Sequence, residues 1–168
     1  MIKYSTRLPP GKSVFLLDNG NVLKTSRFTM NRTFHFMDAL LKHLIINPDH
    51  LVVPIINYTV IDNKTYSYEM ERLGILDNKE RYFINKLGGL VDLYGKDAWQ
   101  IYIEELGSLH NALPKLGQFL KTVIEQDRYH DLHSGNVMRD TECNYRLVDI
   151  EGFLNTPLSL PDNNWITR

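Results

Sequence analysis

The chain has 168 residues, of which 43% are apolar and 23% charged, with a formal net charge of -1. That composition suits one domain or one two-lobed unit with a packed core; it argues against disorder and gives no electrostatic reason to expect a nucleic-acid partner. A single cysteine, Cys143, excludes an internal disulfide and points to a reducing cytoplasm, and no apolar run approaches the ~18 residues of a membrane span.

The opening Met1-Ile2-Lys3-Tyr4-Ser5 lacks the apolar core of a signal peptide. Residues 13–25 read as a hairpin: Ser13–Leu17 is an apolar run, Asp18-Asn19-Gly20-Asn21 tolerates positive φ, and Val22-Leu23-Lys24 resumes the strand. Phe36, Met37, Leu40, Leu41 and Leu44 recur at helical spacing, which predicts a helix over 33–46 that Asn47-Pro48 ends. Leu51–Val60 and Thr65–Met70 read as two strands around an Asp62-Asn63-Lys64 turn. The pattern then changes near Leu73. Asp77 and Glu80 form a capping-box signature for a helix over 78–88, Trp99–Leu109 predicts a second, and Pro114 opens a third that carries Leu116, Phe119, Leu120, Val123 and Ile124. A small hairpin is expected around Asp140-Thr141-Glu142. The expected architecture is α+β: a small antiparallel sheet with one helix over 1–73, and a mostly helical part over 74–168.

The chemistry concentrates in Tyr129-His130-Asp131-Leu132-His133-Ser134-Gly135-Asn136 and in Tyr145-Arg146-Leu147-Val148-Asp149-Ile150-Glu151-Gly152. An acid and an amide stand five residues apart in a short loop, and a second acid follows the amide by thirteen, after an apolar run. This spacing resembles the catalytic core of protein-kinase-like phosphotransferases, including aminoglycoside and choline kinases. The stretch Asp131-Leu132-His133-Ser134-Gly135-Asn136-Val137-Met138 looks most like the catalytic loop of the serine/threonine kinases of T7-like phages. The truncated kinases that enteric bacteria secrete as effectors are similar in plan.

The resemblance implies a minimal two-lobed protein-kinase-like fold using ATP and Mg2+, with a protein of the host as substrate or docking partner. It implies that Asp131 accepts the proton of the attacking hydroxyl and that Asn136 and Asp149 hold magnesium through hard oxygens. Lys24 would reach the nucleotide phosphates, with Asp38 as its acid partner, since no glutamate precedes Glu69. Glu69-Met70-Glu71 would offer backbone groups to the adenine edge, and Gly11 is the one glycine of the expected phosphate loop, Leu8-Pro9-Pro10-Gly11-Lys12-Ser13.

The chain departs from the family at that loop, because prolines have no N–H to give a phosphate. Another departure is His130, which stands where regulated kinases carry arginine, so control by activation-loop phosphorylation is not expected. Only 19 residues follow Asp149, too few for an activation segment and the large helices of full kinases. Three other readings remain open: a pseudokinase that acts by docking, a small-molecule phosphotransferase, and a phosphohydrolase built on the His130 and His133 pair. The remaining histidines, His35, His43, His50 and His110, show no ligand spacing.

Overall fold

In the structure, a computed structural model, residues 2–3, 12–28 and 31–155 are described. They form an α+β protein that divides into two compact units, with the division between Arg72 and Leu73.

The first unit is a five-stranded antiparallel sheet and one helix. Its strands are β1 (Ile2–Lys3), β2 (Lys12–Leu16), β3 (Val22–Arg27), β4 (Ile55–Val60) and β5 (Thr65–Met70), in spatial order β1-β2-β3-β5-β4. The β2–β3 turn closes through Gly20, whose φ of 86° favours a residue without a Cβ. Helix α1 (Asn31–Ile46) presents Phe34, Met37, Leu40, Leu41 and Leu44 as its buried stripe, and Pro48 blocks its continuation. Phe34 meets Tyr66, which stacks in turn on Phe28 and Tyr68. The segment Leu51–Pro54, expected as strand, lies outside β4. Leu51, Val52 and Val53 are buried all the same, and the Pro54 carbonyl accepts the Glu71 N–H at 3.1 Å. Their apolar character reflects core packing without a ladder, and a proline there cannot donate to one.

The second unit packs α2 (Asn78–Tyr94), α3 (Ala98–Ala112) and α4 (Pro114–Gln126) beside a hairpin of β6 (Val137–Arg139) and β7 (Tyr145–Leu147). Phe83 and Tyr102 meet edge to face at 4.8 Å in its core, with Ile84, Leu87, Leu116 and Leu120. The α2 capping box forms as the sequence predicts: Asp77 Oδ1 accepts the Glu80 N–H at 2.8 Å and Glu80 Oε1 accepts the Asp77 N–H at 3.0 Å. The Glu80 carboxylate is buried, and it also accepts from the Tyr145 hydroxyl at 2.5 Å and faces Arg139 at 3.4 Å. It therefore joins the start of α2 to both strands of the hairpin. Glu80→Ala would leave the part-buried Tyr145 hydroxyl and Asp77 N–H without their acceptor, so we expect a loss of about 1–3 kcal/mol. A urea melt should show a clearly lowered midpoint; an unchanged one would contradict the role.

Asp140 organises the hairpin turn. Its Oδ1 accepts the N–H groups of Glu142 and Asn144 at 2.9 and 2.8 Å, and Arg146 reaches its Oδ2 at 3.3 Å. Burial acts to raise this carboxyl, but the Asn144, Glu142 and Arg146 hydrogen bonds outweigh it and hold it below its ordinary value. A depressed folded pKa contributes stability above the unfolded value of about 3.9, and that contribution is lost as pH falls through the lower folded value. Asp140→Asn should therefore flatten the acid dependence of stability below about pH 4, as read by chemical denaturation at a series of acid pH values. An unaltered slope would contradict this.

Among the described residues no helix is long and apolar enough to cross a membrane.

Candidate active site

The loop of interest starts where α4 stops. Asp127 takes the left-handed conformation (φ 50°) at the helix C-cap and turns the chain toward Tyr129. From there to Asn136 the backbone is irregular, and several of its polar groups find individual partners.

Asn136 is the anchor of this loop. It is 6% exposed, and its Nδ2 donates to both the backbone oxygen and the Oδ2 of Asp131, each at 2.9 Å. Both contacts are to oxygen, which fixes the amide orientation and leaves Oδ1 as the acceptor side. The Asn136 N–H donates to the His133 carbonyl at 3.0 Å, and its carbonyl accepts the Val148 N–H at 3.0 Å. The acid and amide five residues apart are thus joined directly.

Asp131 is about half exposed (51%). Its Oδ2 takes the Asn136 hydrogen bond and stands 3.6 Å from His133 Nε2.

Asp149 lies two residues past β7, at the head of a 3₁₀ turn over Ile150–Asn155. Its Oδ1 accepts the Glu151 N–H at 3.1 Å. Three bonds tie this segment to the loop: the Tyr129 hydroxyl to the Asp149 carbonyl at 2.7 Å, the His130 N–H to the Gly152 carbonyl at 3.1 Å, and Val148 to Asn136 as above. Gly152 has a steric task, because a Cβ there would stand 2.4 Å from the Tyr129 ring.

Two residues that the sequence did not single out support the loop from α2. Asn85 Oδ1 accepts the Ser134 N–H at 2.7 Å. Gly88 lets the helix approach so closely that a Cβ would meet the Leu132 carbonyl oxygen at 2.0 Å. The available signal was the Gly88-Gly89 pair inside a helix, where each glycine costs about 1 kcal/mol relative to alanine and so invites a packing reason.

In the first unit, Lys24 is buried (6% exposed) on the sheet face that carries Tyr58 and Tyr68. It pairs across the strands with Val14 and Tyr68, and its Nζ lies 6.0 Å from the centre of the Tyr68 ring. Asp38, expected as its acid partner, is engaged elsewhere: Lys42 Nζ donates to it at 2.9 Å and the Tyr58 hydroxyl at 2.8 Å. Burial acts to raise the Asp38 carboxyl, but these two hydrogen bonds outweigh it and hold it low. Lys24 is not among its partners. The reason is geometric, since Lys42 follows on the same helix face at i+4 and Tyr58 closes the other side.

The expected adenine-edge segment is also corrected in part. The Glu71 N–H is used by Pro54, and β5 is paired on both sides, so its backbone ladder occupies Glu69. The Glu69 carboxylate is a cross-strand clamp instead: it accepts from Asn21 at 2.6 Å, Asn19 at 2.8 Å and Asn57 at 3.3 Å, and the first two bonds dominate in lowering its pKa. Met70 is buried at the end of β5. Gly11 lies outside the described residues.

Asn136 Oδ1 and the Asp149 carboxylate are hard oxygen donors of the kind that magnesium takes. Among the described residues no cluster of three His, Cys, Asp or Glu side chains could hold a metal on its own. No protein-family model matches this chain, and no curated protein matches it.

Proposed function

We propose that the chain is an ATP-dependent phosphotransferase of minimal protein-kinase plan, acting on serine or threonine hydroxyls of a host protein in the cytoplasm. One observation carries the reading: Asn136 binds Asp131 through both the backbone and the carboxylate, while its own carbonyl is bonded to the residue before Asp149. A turn-forming Asp and Asn need no such link to the strand end that leads into a second acid. Phosphoryl transfer needs positioning and charge neutralisation more than covalent chemistry, and an acid–amide pair bonded to the segment that carries the second acid supplies the first.

In this reading Asp131 orients the acceptor hydroxyl and takes its proton, with Oδ1 as the working oxygen because Oδ2 is held by Asn136. Asn136 and Asp149 would hold Mg2+, whose charge neutralises the phosphates of bound ATP. Lys24 is the cation assigned to those phosphates. Its burial on the same sheet face as two tyrosines supports a placed side chain over a freely solvated one.

Lys24→Met tests this assignment. The variant should fold with a near-normal melting temperature and lose magnesium-dependent binding of a fluorescent ATP analogue and phosphoryl transfer together. Full transfer by the variant would remove Lys24 from the site.

A second reading, a docking module with weak or no catalysis, is favoured by Asp38, which bonds to Lys42 and Tyr58 and so does not fill the role that the resemblance implies for it. That protein would bind its partner equally well with Asp131 replaced by alanine and would transfer no phosphate.

A further inference from the structure

Asp131 does not stand alone in its loop. The His133 ring lies against Gly135, whose N–H donates to His133 Nδ1 at 3.0 Å. An Nδ1 that accepts a hydrogen bond is unprotonated, so the proton of the neutral ring is on Nε2. That Nε2 is the atom 3.6 Å from Asp131 Oδ2, the oxygen already held by Asn136. The separation exceeds a formed hydrogen bond, but a small closing movement of either side chain would bring Nε2–H within reach of the oxygen that Asn136 already holds. Gly135 makes the arrangement possible, because a Cβ there would stand 2.9 Å from the ring Cε1 and 3.0 Å from Nδ1.

We infer that His133 is a positioning residue for Asp131: through Nε2–H it helps Asn136 to hold Oδ2, so that Oδ1 is left for the acceptor hydroxyl. The inference rests on the phosphotransferase reading and adds to it a residue with a role of its own. The Gly135 bond fixes the ring; the Asp131 contact is where the ring acts. A histidine serving only as a cap for the Gly135 N–H would have no need of the second contact.

Substitution separates the two roles. Glutamine carries its amide N–H near the position of Nε2, and asparagine carries its oxygen near that of Nδ1. His133→Ala should lower kcat roughly tenfold or more, the scale of a misplaced reacting group, and leave the KM for ATP unmoved. His133→Gln should recover most of the loss and His133→Asn little of it. Gly135→Ala should displace the ring and lower kcat in the parent chain, yet add no further loss to His133→Ala. Rescue by asparagine and not glutamine would reduce His133 to a loop cap, and full kcat in His133→Ala would overturn the role outright.

A readout independent of catalysis covers the case in which the parent chain shows no transfer at all. The His133 ring nitrogens, followed by 15N–1H correlation spectra at mildly alkaline pH, should show the proton on Nε2, with a resonance that moves in Asp131→Ala. A proton on Nδ1, or an Nε2 signal indifferent to Asp131, would overturn the inference. Lack of transfer with the spectral coupling present would count against the phosphotransferase reading and leave the His133–Asp131 contact standing.

Discussion

Asp131→Ala should lower phosphoryl transfer by roughly 10²–10⁴-fold, the range for a positioned base, while ATP affinity and stability persist. The carboxylate is half exposed and its anchor, Asn136, keeps its bond to the residue 131 carbonyl, so the loop retains most of its internal support. Steady-state kinetics paired with nucleotide titration checks this. Loss of nucleotide binding in the variant would mean that Asp131 faces the nucleotide and that the assigned roles are wrong.

Gly88→Ala and Gly89→Ala should have opposite signs. Gly89 is exposed with nothing within 4 Å of a built Cβ, so alanine there should add about 1 kcal/mol of stability through helix propensity alone. At Gly88 the same propensity is outweighed, because the obstacle at 2.0 Å is a backbone oxygen that no rotamer change can move. Either α2 shifts or the loop at Leu132 does, at a net cost of roughly 1–3 kcal/mol. A moved Leu132 also displaces the adjacent Asp131, so transfer should fall further than the stability loss alone accounts for. Thermal melts and kinetics on the two variants check this; equal behaviour would mean that α2 does not set the loop position.

The elements were largely legible from periodicity and punctuation. The capping box at Asp77 and Glu80, the Pro114 start and the Asn47-Pro48 stop each act through local chemistry, and each occurs where it was read. Long apolar runs were less clear. Leu51–Val53 reads as strand because burial and strand formation select the same residues, and only Pro54 marks the difference. The helix over 78–88 extends to Tyr94, past Gly88, which serves close packing against Leu132, and past Gly89.

The loop chemistry was visible because Asp131, Asn136 and Gly135 carry it within six positions, where spacing determines contact. The Lys24–Asp38 pairing was not determined in that way. The absence of a glutamate before Glu69 singles out Asp38, but its i,i+4 neighbour Lys42 supplies a local partner. The Tyr58 hydroxyl, twenty residues away, has no local signature at all. Contacts across a sheet depend on register, and the irregularity between Ile55 and Asn57 shifts the register on the strand that carries Tyr58.

The central claim is that Asp149, held against the Asp131–Asn136 loop, serves metal-dependent phosphoryl transfer. Incubation of the parent chain and Asp149→Asn with γ-labelled ATP, magnesium and a bacterial lysate tests it most directly, with circular dichroism to show that both are folded. The account predicts label on protein with the parent chain, dependence on magnesium, and loss of the label in the variant. Label that persists undiminished in a folded Asp149→Asn chain, or a folded parent chain that transfers none, would contradict it.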